Sequence, residues 1–217
     1  RPPIMSEQLY AVRSGESPTP DKLWSRALLE LNIPDYSPRE DDTYSQKCNY
    51  SNALSTLRRI RQEQGNGTNY QVVWAQNQDR VFSACDKRSA NPTPPLEPKG
   101  KRFPARAQSD FLYQLGSWNF YKGKYEDALS SYERVEKNRR APQRPNAAYM
   151  VVRTLANLQQ FDEAYAKISV ILADRSLQEV HANTGNYRFV IMSNSNHLSG
   201  FGGSFISPEL AQQHLRW

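Results

Sequence analysis

The sequence has little of the residue chemistry on which metal sites and enzyme active sites usually depend. Its 217 residues include two cysteines and three histidines, and no histidine has another metal-binding residue at a fixed ligand spacing. The HExxH, G-x-S-x-G and dinucleotide-binding motifs are absent. The glycine-rich stretch at 199–204 lacks the Lys-Ser/Thr that completes a phosphate-binding loop, which favours a flexible loop. We therefore predict no catalytic residues, no cofactor and no bound metal.

Long apolar stretches are also missing, and no run of residues approaches the length that a transmembrane helix needs. The chain begins with Arg1 instead of Met, so we expect a fragment or a processed product, and it ends at Trp217 without a helix-terminating residue, so we expect the native chain to continue. For that reason the absence of a leader at Arg1 indicates nothing about targeting.

Charge of one sign is not concentrated in any part of the chain. The formal net charge is +6 and the isoelectric point is near 9.3, but lysines and arginines are spread along the sequence and mixed with acidic residues. A nucleic-acid-binding surface normally clusters its basic residues on one face. We therefore predict a solvated basic surface and no nucleic-acid partner, while acidic partners and membrane surfaces stay open.

What the sequence does contain is a helical pattern. The segment Ser109–Val135 is typical of two helices joined at Gly123, a residue whose tolerance of positive φ suits the end of a helix. In its second half, an aromatic residue, an alanine, an aromatic and a valine follow one another at spacings of 3, 4 and 3, which places them on one helical face. These residues are Tyr125, Ala128, Tyr132 and Val135.

This pattern recurs along the chain. The sequence at 125–135, YEDALSSYERV, returns as FDEAYAKISVI at 161–171 and is preceded by YSNALSTLRRI at 50–60. A period in the thirties predicts an array of helical repeats. Ala128 and Gly116 are small where the two helices of a pair must approach closely. A helical bundle that places its alanines at similar positions is the alternative interpretation.

These residues resemble the tetratricopeptide repeat. The family's series of Leu-Gly, turn glycine, aromatic, alanine and aromatic matches residues within 109–142. The matching residues are Leu115, Gly116, Gly123, Tyr125, Ala128 and Tyr132. In the next copy, 146–172, valines replace the Leu-Gly pair and Gln159 replaces the turn glycine. The resemblance implies an all-α fold, an α-solenoid of antiparallel helix hairpins.

Composition divides the chain into five parts. Residues 1–20 mix Pro, Ser and Gly and are interpreted as a linker, and 21–90 as an N-terminal region that contains a helical hairpin. Residues 91–106 hold five prolines and are interpreted as a semi-rigid connector, with recognition by a proline-binding partner as the alternative. The tetratricopeptide-like repeats follow at 107–192. The last part, 193–217, combines the glycine-rich loop with a terminal helix.

The two cysteines are placed symmetrically about a predicted turn. Cys48 lies 18 residues before Asn66 and Cys85 lies 19 after it, within helices predicted at 43–64 and 70–86. In an antiparallel hairpin both would lie at one level, about 27 Å from the turn, because a helix rises about 1.5 Å per residue. We predict a Cys48–Cys85 disulfide, with two buried thiols as the alternative. A disulfide implies an oxidising compartment, periplasmic or extracellular.

A second resemblance concerns Trp74 and the run Val81-Phe82-x-x-Cys85, which precede the proline-rich segment and the repeats. This order is similar to that of large, uncharacterised exported bacterial proteins with tetratricopeptide-like helices. The resemblance implies an exported scaffold.

The resemblance to tetratricopeptide repeats also implies where a partner binds. In that family the first helix of each pair lines a concave groove, and Tyr and Arg there suit peptide recognition. Family members that clamp a terminal carboxylate have Lys and Asn where this sequence has Tyr113 and Ser117, so that specificity is not expected. Ordinary core positions are the alternative for Tyr113, Phe120 and Tyr149. The predicted groove residues are Asp110, Tyr113, Ser117, Phe120, Tyr121, Asn146, Tyr149, Arg153 and Asn157.

Two functions are consistent with these features. The first, which we favour, is a non-catalytic scaffold that binds a protein or peptide segment within a larger, extracytoplasmic assembly. Membrane association through that assembly stays open, and the oligomeric state is not predicted. The alternative is a helical-repeat enzyme, or its accessory domain, acting on an extracellular polymer such as glycan. That chemistry needs a pair of carboxylates in the groove, and Asp110 is the clearest acid there.

Overall fold

The computed structural model describes residues 19–33, 48–86, 90–99 and 103–194, and their regular secondary structure is entirely helical. The predicted all-α class is therefore confirmed for these residues. The linker predicted at 1–20 falls almost wholly outside them, as do the loop and terminal helix predicted beyond residue 194. No helix within the described ranges is long and apolar enough to cross a membrane. The helices are α1 (Pro20–Glu30), α2 (Tyr50–Gln64), α3 (Asn69–Cys85), α4 (Ala107–Tyr121), α5 (Tyr125–Lys137), α6 (Arg144–Asn157), α7 (Phe161–Ala173), a 3-10 helix (Arg175–Val180) and α8 (His181–Asn194).

The chain divides into two compact units, Arg1–Phe103 and Pro104–Trp217. In the first unit, α2 and α3 form the predicted hairpin. Its turn holds Gly65 and Gly67 at φ of 89° and 69°, in the left-handed region that favours glycine. Helix α2 begins at Tyr50, so the prediction that Cys48 lies within this helix is wrong, because Asn49 caps the helix after it. The remainder of the predicted earlier start, 43–47, lies outside the described residues.

Aromatic packing fills the core of the first unit. Trp24 of α1, only 1% exposed, meets Trp74 and Phe82 of α3 edge to face, with ring centroids 6.3 and 5.3 Å apart. Tyr50 of α2 lies against Phe82, with ring centroids 4.0 Å apart. Because edge-to-face rings gain energy beyond the area that they bury, these contacts stabilise the packing of all three helices.

The predicted disulfide joins Cys48 and Cys85, whose Cα atoms lie 6.0 Å apart. Cys48 precedes α2 and Cys85 is the last residue of α3, so the bond closes the open end of the hairpin. At the same end, the Tyr50 hydroxyl donates a hydrogen bond of 2.6 Å to the Asp86 carboxylate. The two ends of the hairpin are thus fixed by different means, glycines at the turn and a covalent bond at the opening.

The proline-rich segment lies along α3. The Asn77 side chain donates to the Leu96 carbonyl and accepts from the Leu96 backbone N–H, both at 2.8 Å. Arg80 donates to the Pro94 carbonyl at 3.2 Å. Proline has no N–H to donate, so side chains of α3 satisfy part of this backbone in place of secondary structure.

In the second unit, each helix from α4 to α8 packs against the next one in the chain, and the 3-10 helix packs against α6. Short turns join α4 to α5 and α6 to α7, so each of these pairs is an antiparallel hairpin. Alanine at contact positions lets neighbouring helices approach closely. Core positions with 0% exposure include Ala128, Tyr132, Val135, Ala147, Ala164, Ile168 and Ile171.

Helices α4 and α5 approach closely at Gly116, as predicted. A Cβ atom at Gly116 would lie 3.0 Å from ring carbons of Tyr132 and 3.2 Å from Cβ of Ser131. Any larger residue would have to displace the ring of Tyr132, which is completely buried. Glycine is therefore required here by the neighbouring helix and not by its own backbone angles.

The turn after α4 is repeated after α6. Gly123 has φ of 73°, and the N–H of Lys124 donates to the Asn119 carbonyl at 2.9 Å. After α6, Gln159 has φ of 62°, and the next N–H donates to the Leu155 carbonyl at 2.9 Å. These hydrogen bonds satisfy carbonyls at the helix ends. The second turn thus keeps the left-handed residue although the glycine is missing.

Arg144 connects three elements of the second unit. Its guanidinium donates to the Glu136 carbonyl of α5 at 3.1 Å, to the Asp174 carboxylate after α7 at 2.8 Å and to the Ser176 hydroxyl at 2.6 Å. Hydrogen bonds from Ser176 and Arg144 hold the pKa of Asp174 well below its usual range. Asp174 also accepts from the Ser176 N–H and so caps the 3-10 helix.

The disulfide generates a stability prediction. The folded chain should be two hydrogens lighter by mass under non-reducing conditions than after reduction. Reduction should lower the free energy of unfolding by about 3–4 kcal/mol in the loop-entropy account, measured by urea denaturation. Two thiols that alkylate freely in the untreated, folded protein would contradict the pairing.

The two turns generate an exchange experiment. Gln159→Gly should stabilise the protein by about 0.5–1 kcal/mol, because glycine adopts positive φ without the steric strain of a side chain. Gly123→Gln should destabilise it by about 1 kcal/mol for the opposite reason. Urea denaturation of both variants measures the two changes. A shift of the same sign at both positions would show that the turns differ in conformation.

Candidate functional site

Aromatic side chains from α4, α6 and α8 surround a single arginine of α6. The guanidinium carbon of Arg153 lies 5.1 Å from the ring centroid of Phe120 and 5.8 Å from that of Tyr149. Tyr187 meets Tyr149 edge to face, with centroids 6.0 Å apart. We call Phe120, Tyr121, Tyr149, Arg153 and Tyr187 the arginine–tyrosine cluster.

The spacing of residues in α6 explains why they share a face. Tyr149, Arg153 and Asn157 follow one another at intervals of four residues, which stacks them along one side of a helix. Asn157 is exposed, and its side chain donates to the Arg153 carbonyl at 2.8 Å. Arg153 itself is half-buried, and its guanidinium lies against the rings of Phe120 and Tyr149.

Electrostatics keep this arginine charged. Burial opposes the charge, but the phenol groups of Tyr149, Tyr121 and Tyr187 outweigh it, and the pKa of Arg153 is raised. A guanidinium remains protonated throughout the range in which proteins fold. The cluster therefore presents a permanent positive charge surrounded by aromatic rings, an arrangement in which cation–π attraction holds the guanidinium plane in place.

Among the described residues, Arg153 has no acidic partner, although a half-buried arginine usually has one. No carboxylate of these residues lies within ion-pair distance of it, and its Nη1 donates to the sulfur of Met150, at 3.7 Å. Its Nε is buried without a hydrogen-bond acceptor. Thioether sulfur is a weak acceptor, so the described residues use little of the donor capacity of Arg153.

Two predicted groove residues contact α5 instead. Tyr113 packs edge to face against Tyr132, with centroids 5.7 Å apart, and the Tyr132 hydroxyl donates to Ser117 Oγ at 3.0 Å. Ser117 in turn donates to the Tyr113 carbonyl at 2.9 Å. Phe120 is 9% exposed. The alternative of core packing therefore describes Tyr113 better, while Phe120 is both a core residue and the surface beneath Arg153.

The remaining predicted residues are spread along the helices. Asp110 is 1% exposed beside Arg106, and it precedes Phe120 by about 15 Å along α4 at about 1.5 Å per residue. Asn146 lies at the start of α6, where its side chain donates to Gln143 at 3.1 Å. Neither residue belongs to the arginine–tyrosine cluster.

Tyr187 is the member of the cluster that sequence reasoning did not place in the groove. Tyr113 and Tyr149 are 36 residues apart, as are Ala128 and Ala164, and this spacing indicates equivalent positions in successive hairpins. Tyr187 follows Tyr149 by 38 residues because the 3-10 helix shifts the register before α8 begins. The residue 36 positions after Tyr149 is Gly185, so the repeat spacing does not point to Tyr187.

An open pocket of about 390 Å³ is lined by residues of α5 and of the turn after α6. It contains two glutamates, Glu126 and Glu133, and the second pairs with Lys137 at 3.8 Å. Seven residues of helix separate their Cα atoms by about 10 Å. Both glutamates belong to α5, whereas the predicted groove residues, among them Asp110, belong to α4 and α6.

Two tyrosines beside the cluster, the fully buried Tyr132 and the half-buried Tyr113, generate a pH prediction. Burial raises the pKa of Tyr113 and of Tyr132. The unfolded phenol ionises near pH 10 while the folded one stays neutral, so stability present below pH 10 should be lost as the pH rises further. We expect up to about 1.4 kcal/mol per pH unit for each tyrosine, measured by urea denaturation between pH 9 and 11. Tyr113→Phe should flatten this dependence, whereas Tyr165→Phe, at an exposed position, should not. Equal slopes for Tyr113→Phe and the unmodified chain would contradict the assignment.

No protein-family model, curated protein or solved structure was found to match this chain. The resemblance to tetratricopeptide repeats, and the resemblance to exported bacterial proteins, therefore stay predictions. Among the described helices, the arginine–tyrosine cluster has the clearest binding chemistry.

Proposed function

We propose that the second unit is an α-solenoid of tetratricopeptide-like hairpins that binds a protein or peptide segment, and that the chain is a non-catalytic scaffold. The observation that carries the proposal is Arg153, a half-buried cation enclosed by aromatic rings and without a carboxylate partner among the described residues. Tyrosine and arginine are, with tryptophan, the residue types enriched among those that dominate binding energy at protein interfaces.

The architecture supports a shared binding face. Helices α4, α6 and α8 are linked through side chains of the cluster, whereas α5 and α7 alternate with them along the chain. In tetratricopeptide arrays, which this unit resembles, the first helix of every pair lies on the inner face, and the concave surface of a solenoid is the usual binding surface. The arginine–tyrosine cluster would then lie within a concave groove, which suits an extended or helical segment of a partner.

The disulfide supports an oxidising compartment. Bonds such as Cys48–Cys85 persist in oxidising environments and are rare in the cytosol. We therefore propose a periplasmic or extracellular location, within a larger assembly that supplies the bound segment.

A site-specific cross-linking experiment tests the binding face. A photoreactive amino acid at exposed Asn157 should form adducts with the partner in its native extract, and mass spectrometry should identify the adduct. The same group at Glu163, exposed on α7, is the matched control and should give few adducts. Adducts that form equally from both positions, or only from Glu163, would contradict an interface at the arginine–tyrosine cluster.

Substitutions in the cluster should weaken the partner identified in this way. Tyr149→Ala combined with Arg153→Ala should reduce affinity by about 2 kcal/mol or more, the effect expected of residues that dominate an interface. Circular dichroism should show the helical content unchanged. Unchanged affinity in the double variant would contradict the proposed groove.

A further inference from the structure

Arg153 differs from an arginine that serves the fold. Arg144, for comparison, directs its donors at a carboxylate, a hydroxyl and a carbonyl, and it ties three elements together. Arg153 directs Nη1 at a thioether sulfur 3.7 Å away, and its Nε is buried without an acceptor. A buried polar donor without a partner raises the free energy of the folded state. A ligand oxygen would be a stronger acceptor for Nη1 than the thioether sulfur, which makes the position favourable for binding.

The rings around Arg153 prepare it for a planar acceptor. Phe120 and Tyr149 lie 5.1 and 5.8 Å from its guanidinium carbon. Stacking on rings restricts the long side chain, so less conformational entropy is lost when a ligand binds. Two parallel N–H groups of a guanidinium match the two oxygens of a carboxylate. A carboxylate would replace the Met150 sulfur as the acceptor for Nη1.

We infer that the bound segment places the carboxylate of an Asp or Glu side chain on Arg153, with neighbouring apolar groups of the segment against the rings of Tyr121, Tyr149 and Tyr187. This inference rests on the proposed function and specifies its ligand. The net charge of +6 on the chain favours approach of an acidic segment.

A side-chain carboxylate suits the half-buried Arg153 better than a chain terminus does. A terminal carboxylate is attached directly to the backbone, which would have to approach the rings, and its last backbone N–H would need an acceptor there. The methylene groups of Asp or Glu let the carboxylate reach Arg153 while the backbone stays farther out. In addition, the nearby amides already have acceptors, since Asn146 donates to Gln143, just before α6, and Asn157 donates to the Arg153 carbonyl.

A single carboxylate also matches the charge of the site. The described members of the arginine–tyrosine cluster include one cation, Arg153, which balances one negative charge. A phosphate group carries about −1.5 to −2 charges at pH 7 and is usually bound by several donors or cations. The aromatic rings, which present the negative faces of their π-systems, would oppose such additional charge.

Matched peptide libraries test the inference on the full chain. Both contain acetylated, C-terminally amidated dodecapeptides randomised at every position except one central residue, which is Glu in the first library and Gln in the second. Each library is passed over immobilised protein, retained sequences are identified by mass spectrometry, and their Kd values are measured by fluorescence anisotropy in both the Glu and the Gln form. The Glu form should bind at least about tenfold more tightly, as expected of a hydrogen bond to a charged group.

Variants assign the preference to its residue. Arg153→Met should abolish the difference between Glu and Gln, and Arg153→Lys should keep part of it because the charge remains without the fork. Arg188→Met is the matched control, since Arg188 also stacks on a tyrosine ring, 5.9 Å from the centroid of Tyr165, but lies outside the cluster. The Arg188→Met variant should bind Glu peptides in preference to Gln peptides as strongly as the unmodified chain does.

Each outcome decides between distinct conclusions. Equal affinity for Glu and Gln peptides on the unmodified chain would overturn the inference while leaving groove binding in place, and this comparison needs no variant that must fold. If the Arg153→Met variant still prefers Glu, another residue binds the carboxylate and the inference is wrong. If a free C-terminus restored tight binding to Gln peptides, a terminal carboxylate would be the ligand and the inference would be wrong. Retention of neither library would contradict the proposed function itself.

Discussion

The packing of the Tyr132 ring against bare backbone at Gly116 is the contact on which the second unit depends. A Cβ at Gly116 would lie 3.0 Å from that ring, so the ring occupies the space of a missing side chain. The Tyr132 hydroxyl then binds Ser117, and Tyr113 meets the ring edge on. These contacts fix the rotation of α4 about its axis. Phe120, one turn after Gly116, is thereby placed beneath the guanidinium of the next hairpin.

The next hairpin solves the same packing problem with different residues. Positions 36 residues after Gly116 and Tyr132 are Val152 and Ile168, both 0% exposed. A small residue opposite a large one is replaced by two of intermediate size, which keeps the volume between the helices similar. The exchange has a chemical consequence, because isoleucine has no hydroxyl. The residue equivalent to Ser117 is Arg153, and nothing on Ile168 can bind its polar atoms. The guanidinium is left to other partners.

Sequence reasoning reached those features of the fold that a single steric rule determines. Gly116 and Gly123 are glycines for reasons visible in the pattern, one for close approach and one for positive φ, and the structure agrees. It was less informative where a residue other than glycine adopts positive φ. Gln159, with φ of 62°, forms the same turn without a glycine. The bond between Arg144 and Asp174 could not be predicted, because no local pattern joins residues 30 positions apart.

The candidate site shows the same division. Helical spacing predicted that Tyr149 and Arg153 share a face, but spacing carries no information on whether an acid from another helix reaches the arginine. That depends on the assembled structure, in which Asp110 is buried beside Arg106 at 3.8 Å and Arg153 meets rings and a sulfur atom. A half-buried charge without an acid lowers the stability of the chain. Core packing gives no reason for it, since an apolar side chain could cover the same rings. An acidic group of a bound partner does give a reason. Arg153 is already partly desolvated in the free chain, so a carboxylate that binds it gains more affinity than it would at a fully hydrated arginine.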